Sequence, residues 1–493
     1  MKGKWLLYIV AMLVFGAGIA FILDYGTRLT QNPAALENRT EIRPAPAPAI
    51  ESKDGESPLT RIGKVLRENL RSPLSLLLLQ IIVIIIIAKL FGSLFLKIGQ
   101  PAVIGEMVAG ILLGPSLLGL LSPPTMTFLF PDASMGTLKL LSQIGVIIFM
   151  FTVGMELNVQ HLREKAHAAV IISHASIVVP FFMGVALSLV IYRHFAPPNI
   201  SFIAFALFIG IAMSITAFPV LARILEERRL SKTYIGATAI ACAAVDDVTA
   251  WCLLAVVVAV SKADGVSASL MPILLSLAFI GMMVFLVKPL LNRLINWEIK
   301  NEKRGKLLVA GIVAFIFASA WFTEIIGIHA LFGGFLAGVV MPSVAKVRSF
   351  LRERLESFSA AVLLPLFFAF TGLRTQVNLL NDRQSLAIGA GIIAVAIAGK
   401  LGGSMLAARW TGMSWRESFS VGALMNTRGL VELIVLNIGY DLGILPDRIF
   451  AIMVLMALIT TCMTGPLLSL VKGKETETTN PLTIESDELV RNQ

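Results

Sequence analysis

The sequence predicts an all-α integral membrane protein of about thirteen transmembrane helices, preceded by an N-terminal hydrophobic helix. Three observations carry that prediction. Of the 493 residues, 56% are hydrophobic and only 15% charged, with a mean hydropathy of +0.83, more apolar surface than a water-exposed fold can hide. Apolar segments of about 20 residues, the length that spans a bilayer's hydrocarbon core, recur throughout. The charges lie in short loops between those segments, with Lys and Arg on alternate turns, which marks one membrane face as cytoplasmic. That distribution also makes nucleic acid an unexpected partner despite a net charge of +10.

Taken in order, residues 5–23 (WLLYIVAMLVFGAGIAFIL) follow Lys2 and Lys4 and read either as a signal peptide or as a first spanning helix; the long apolar run and the lack of a small-residue cleavage site favour a retained helix. Residues 24–73 are polar and Pro/Ala-rich, the composition of an extended linker, here extracytoplasmic. Their last part, 58–73, has helical apolar spacing suited to an interfacial helix or continues the linker. Thirteen spans are then expected near 74–95, 101–120, 137–156, 167–192, 201–224, 234–260, 270–291, 306–323, 327–341, 358–374, 384–408, 417–439 and 447–470. The basic loops ARILEERRLSK, NRLINWEIKNEKRGK and AKVRSFLRERLES share one side, which places the C-terminal tail (472–493) in the cytoplasm. That tail leaves no room for a fused nucleotide-binding domain. Cys242, Cys252 and Cys462 fall in apolar runs without metal or disulfide spacing and read as small core residues.

Asp246 and Asp247 stand side by side in ACAAVDDVTAWCLLA. An ionised carboxylate at mid-bilayer costs about 2.5–3.5 kcal/mol on insertion scales, so two neighbours argue for use. A coupled pair of buried acids can hold a proton and trade it for a hard monovalent cation, which prefers oxygen ligands. A membrane aspartyl protease needs its acids facing each other across two helices; adjacent residues on one helix diverge by about 100°.

The preceding span contains Ser214, Thr216 and Pro219, and a proline there frees backbone carbonyls that can line an ion site. Lys400, in AIAGKLGGSM, is an intramembrane ammonium that needs an anion, and the aspartates are the candidates. Asn426-Thr427-Arg428-Gly429 breaks the apolar pattern of a later span, with Glu432 one turn beyond Arg428 and able to pair with it. The triplets of spans four to six and eleven to thirteen each read helix, broken helix, helix. Their offset of seven spans makes them enter from opposite sides, as in inverted-repeat transporters.

These features, with QPAVIGEMVAGILLGPSLLG (100–119), FMFTVGMEL (149–157), AVDDVTAWCLLA (244–255), IGIHALFGGFLAGVVMP (326–342), PLFFAFTGL (365–373) and MNTRGLVELIVLNIG (425–439), resemble the monovalent cation:proton antiporters of the CPA2 branch. That branch includes sodium/proton antiporters, potassium-efflux transporters and the plant and fungal cation/proton exchangers. The resemblance covers residues 74–471. It implies a six-helix core with two crossed, broken helices (approximately 167–260 and 384–471) beside a dimerisation domain (approximately 74–156 and 306–374), and hence a homodimer. It implies Asp247 as the main cation and proton carboxylate, Asp246 paired with Lys400, Thr216 at the crossing, and Glu106 on an access path. Glu156 and His329 match motif positions and read as a span-end acid and a packing histidine. The Asp-Asp pair resembles the electrogenic branch, whereas 425–439 is closest in kind to the plant and fungal exchangers.

The function expected is exchange of Na⁺ or K⁺ for H⁺ by alternating access, in a multi-pass protein of the bacterial inner membrane, with no cofactor. The alternative is a cation channel or ion-sensing membrane protein, against which stands the absence of a filter loop in the sequence. No nucleophile elbow, paired His ligands or phosphate loop suggests an enzyme. The exchange reading also expects a pocket that water can enter: a structure in which it is sealed, with neither carboxyl group able to meet water from any direction, would count as its failure.

Overall fold

A computed structural model describes residues 13–24, 69–70, 72–156, 166–230, 233–262, 266–300, 305–342, 344–356 and 358–471. The linker (25–68), the start of the N-terminal run (5–12) and the tail (472–493) lie outside the described residues, which are helical with no strand among them. Part of the N-terminal hydrophobic run, Leu13–Asp24 (α1), is helical.

Among the described residues, ten helices are long and apolar enough to cross a membrane. An eleventh span is made by Trp415–Met425 and Leu430–Asp441, bent by 44° at the break between them. The other two expected spans are helical but shorter than expected. The segment 201–224 divides into Phe202–Ser214 and Phe218–Glu227 around an extended stretch, and 327–341 holds only Ala330–Val339. A hydropathy run cannot register such breaks, because the residues at the first of them (Ile215, Thr216, Ala217) remain mostly apolar. Before Ala330 the chain turns through Gly327 (φ 91°) and His329 (φ 119°), a left-handed conformation that side chains other than glycine's rarely adopt.

One group of helices begins with Pro73–Lys97 (α2), which starts on an extended Ser72 followed by proline in its first turn, where the missing N–H costs nothing. Its buried residues Leu76, Gln80, Ile84, Ala88 and Gly92 recur every fourth position. The opposite stripe, Leu74, Leu78, Ile82, Ile86, Leu90 and Leu94, is exposed, as expected of a lipid-facing side. The buried side packs on Ala102–Leu113 (α3), which packs in turn on Leu364–Arg374 (α14). These last two touch backbone to backbone. A Cβ on Gly372 would lie 2.6 Å from Met107 O, and one on Gly110 would collide with the Ala369 backbone. Small residues permit that approach in lipid, where close van der Waals packing drives helix association. Asp132–Glu156 (α4) and Ala330–Val339 (α12) complete this group.

The second group holds the two triplets. Ala166–Phe195 (α5), the broken span Phe202–Ser214 and Phe218–Glu227 (α6 and α7), and Tyr234–Lys262 (α8) form the first. The second comprises Arg383–Ile397 (α15) running through a π turn, Ala398–Gly402, into Gly403–Trp410 (α16); the broken span Trp415–Met425 and Leu430–Asp441 (α17 and α18); and Asp447–Val471 (α19). Between them in sequence lie Val266–Met282 (α9), Lys288–Lys300 (α10), Gly305–Ile326 (α11) and Ala345–Leu351 (α13). The N-terminal α1 rests on this second group, with Phe15 edge-on to Phe182 of α5 at 5.2 Å.

Candidate functional site

The two breaks meet. At the first, α6 ends at Ser214 and the chain runs extended before α7 begins; at the second, α17 ends at Met425 and α18 begins at Leu430. The Ala217 N–H donates to Thr427 O (3.1 Å), and the Thr216 hydroxyl reaches Met425 O (3.1 Å). Backbone groups freed by one break are thereby satisfied by the other, as a low-dielectric interior requires. Gly429 permits the crossing, since a Cβ there would lie 2.7 Å from Val220 Cγ2. Pro219 is the second residue of α7. It therefore stands in a first turn, where its missing N–H is least costly, and it does not kink an otherwise continuous helix.

Asp246 and Asp247, on α8, are both fully buried, but their surroundings differ. Asp246 is saturated. Oδ1 accepts from Ser173 Oγ (2.5 Å), and Oδ2 accepts from Ser176 Oγ (2.7 Å), Thr216 Oγ1 (2.7 Å) and Lys400 Nζ (3.0 Å). Lys400 lies in the π turn of its span, a feature frequent at functional sites. Its three N–H groups are shared between Asp246 and three further oxygens within reach, Ser176 O (2.9 Å), Ser176 Oγ (3.1 Å) and Ser214 O. Asp247 has no such company. Neither of its oxygens has a hydrogen-bond partner, and the Phe218 N–H faces it without meeting hydrogen-bond geometry.

A second buried ion pair braces the crossing. The Arg428 guanidinium donates to Glu432 Oε1 (3.3 Å), to Ala212 O (2.9 Å) and to Met213 O (2.7 Å). Lys400 and Arg428 thus hold three successive carbonyls, those of Ala212, Met213 and Ser214, at the C-terminal end of α6. That end carries the negative pole of the helix dipole. Thr427 shares a hydroxyl contact with Thr464 (3.1 Å), and the Arg428 N–H donates to Thr461 Oγ1 (3.1 Å). Asn426 is fully buried with both amide atoms unpartnered, as are Glu432 Oε2 and Arg428 Nε. Buried polar atoms without partners are uncommon, and a water or ion is the usual explanation.

The structure thus brings together Asp246, Thr216, Ser214 and Lys400, and by the crossing Asn426, Thr427, Arg428 and Glu432. Glu106 is held elsewhere. It is buried on α3 and pairs with Lys89 of α2 at 3.1 Å. His329 caps α12 by accepting from the Leu331 N–H (3.4 Å). Sequence reasoning missed Ser173 and Ser176, which supply two of the four donors to Asp246. Their three-residue spacing on one helix face, in IISHASIV, was the signal available. Contrary to the expectation of a water-accessible pocket, Asp246 and Asp247 are both fully buried and neither carboxylate meets solvent in this conformation; exchange at this site would need a second conformation in which the helices around it have moved.

The transmembrane sodium/hydrogen exchanger family model matches residues 81–471. The Na(+)/H(+) antiporter NhaS4 of Synechocystis sp. is 46% identical over 399 residues, covering 80% of this chain and 96% of that protein. Cation/H(+) antiporter 17 of Arabidopsis thaliana is 41% identical over 399 residues, 81% of this chain and 48% of its own length. K(+)/H(+) antiporter 1 of Saccharomyces cerevisiae is 35% identical over 414 residues, 82% of this chain and 47% of its own. The chain spans about half the length of those two relatives. Among solved structures, the sodium proton antiporter MjNhaP1 of Methanocaldococcus jannaschii superposes with a TM-score of 0.60 at 15% identity, over 82% of this chain and all of that one, a likeness of fold. With the family model spanning nearly all of the described membrane helices, the chain belongs to the transmembrane sodium/hydrogen exchanger family.

Proposed function

We propose that this protein exchanges a monovalent cation, Na⁺ or K⁺, for H⁺ across a membrane by alternating access, and that Asp247 is the carboxylate the two ions share. The observation that carries the assignment is the contrast within the aspartate pair. Asp246 spends its lone pairs on three hydroxyls and an ammonium, whereas Asp247 is equally buried with both oxygens unpartnered. A buried carboxylate without a partner is costly unless neutralised, and a proton or a bound cation neutralises it equally well. Competition between the two for one group, exposed alternately to either side, couples their movements in opposite directions. Lys400, Thr216, Ser173 and Ser176 act as positioning residues by fixing Asp246. Arg428, Glu432, Asn426 and Thr427 hold the crossing of the broken helices.

By this reading residues 167–260 and 384–471 form the moving core, residues 74–156 and 306–374 form the scaffold and dimer contact, and the C-terminus faces the cytoplasm of a bacterial inner membrane. The names of the relatives support both cations: two are named for sodium or potassium exchange with protons. Purified protein in liposomes carrying an internal pH dye tests the assignment. Added Na⁺ or K⁺ is expected to drive saturable proton movement, abolished by Asp247→Asn. Large uncoupled cation currents, or full exchange by the variant, would refute it.

A further inference from the structure

Away from the aspartates, a polar cluster ties the two helix groups together at the far end of α18. Asp441, the last residue of α18, forms ion pairs with Arg374 Nη1 and with Lys139 Nζ, each at 2.9 Å, through the same Oδ1. Arg374 also donates to Asn437 Oδ1 (3.1 Å), one turn back on α18, and stacks on Phe370 (4.3 Å) and Tyr440 (5.0 Å). The Asn437 amide donates to Thr371 Oγ1 (2.8 Å), both residues being buried. Lys139 belongs to α4 and Phe370, Thr371 and Arg374 to α14, so all of these contacts except Arg374–Phe370, which lies within α14, pass from α18 to the other helix group. The cluster forms part of the wall of a cavity of about 610 Å³, lined by Gln143, Lys139, Glu324, His329, Ile438 and Asp441 among others. The N-terminal end of the same α18 begins at the break beside Arg428 and Glu432. A single helix of 12 residues, about 18 Å long at 1.5 Å per residue, therefore joins the crossing to the cluster.

We propose that Arg374, Asp441, Lys139 and the Asn437–Thr371 pair form a latch that closes the cavity side of the protein, and that it must part for the aspartates to face that side. The inference rests on the exchange reading above. In a half-buried setting one carboxylate shared by two cations, with a stacked guanidinium, is strong enough to bias a two-state equilibrium yet weak enough to break in each cycle. A binding-competent state that is only fractionally populated lowers apparent affinity by that fraction. Removing the latch therefore strengthens apparent cation binding from the cavity side.

The test uses the full chain with Cys242, Cys252 and Cys462 replaced by Ala. In Thr371→Cys/Asn437→Cys, bridging the two thiols with mercuric ion is expected to cut exchange at least tenfold, with recovery on adding a thiol reductant. In Arg374→Ala, the half-saturating cation concentration on the cavity side is expected to fall at least threefold, with no fall on the opposite side, and Arg374→Lys is expected to return part of the way. A purely structural role would move neither sidedness nor reversibility. Alkylation of Ile438→Cys, in the cavity wall, by a membrane-impermeant maleimide is expected to accelerate at least threefold when Arg374→Ala is added. Bridged protein that exchanges at the unbridged rate, equal half-saturation on both sides, or unchanged alkylation overturns the latch. If the unsubstituted protein shows no cation-coupled proton flux, the exchange reading falls, and the alkylation rates alone decide whether the latch opens.

Discussion

Replacing Lys400 with alanine gives the most quantitative expectation. The ammonium is fully buried and shares its three N–H groups among Asp246, the two oxygens of Ser176 and Ser214 O. Removing one member of a buried ion pair usually costs about 3–5 kcal/mol, because the partner remains charged and buried. Asp246 keeps three hydroxyl donors, each worth about 1.5–3 kcal/mol to a charged acceptor, so the lower end applies and the expected loss is about 3 kcal/mol. With an unfolding entropy of about 2.1 cal/mol/K per residue over the roughly 390 residues of the membrane region (81–471), each kcal/mol moves the melting temperature by about 1.2 °C, so a fall of about 3–4 °C is expected. Thermal unfolding of Lys400→Ala, Asp246→Asn and the double variant in detergent measures it. The double variant should recover about 2 kcal/mol relative to the sum of the single losses, as coupled neighbours do. A melting temperature within about 1 °C of the unsubstituted protein, or strictly additive variants, would show that the pair does not hold the site together.

Other expectations follow from the same geometry. Asp247→Asn removes a buried carboxylate that has no partner, so the melting temperature should hold or rise while exchange disappears; unfolding and flux measured on one preparation separate the two effects. Gly429→Val should force the crossing apart, since even a Cβ would lie 2.7 Å from Val220; overpacking of this kind costs about 1–3 kcal/mol, and a stable, active variant would contradict it. Asp382 caps α15 outside the membrane spans, accepting from the Ser385 N–H and hydroxyl at 2.7 Å each, and these bonds hold its carboxyl below the ordinary range. A lowered folded-state value stabilises above the unfolded value of about 3.9 and is lost as pH falls through the lower, folded one. The melting temperature of Asp382→Ala should therefore lie below that of the unsubstituted protein at neutral pH, and the gap should close in acid.

The sequence announced some of this site and concealed the rest. Asp246, Asp247, Lys400 and Arg428 were legible because a charge inside an apolar run is too costly to be incidental. The second break was legible as the polar run 426–429 and the first from Pro219 beside Ser214 and Thr216, though the extended geometry at 215–217 was not. Ser173 and Ser176 were concealed because a hydroxyl in a membrane helix usually bonds back to its own backbone, as Ser188 does to Gly184 O (2.9 Å); only the fold turns these two towards Asp246. Arg374, Lys139 and Asp441 stand near span ends, where charged residues ordinarily reach for water, and nothing local indicates that they meet.

The clamped end of α6 bears on how tightly a passing ion is held. A helix terminus with free carbonyls is a natural resting place for a cation, yet here Arg428 and Lys400, both tethered to the chain, already fill that berth. On the proposed reading, a mobile ion is left with Asp247, whose two oxygens have no hydrogen-bond partner. Such sparse coordination favours quick release over deep capture, which is what a carrier that must empty itself on every turn requires.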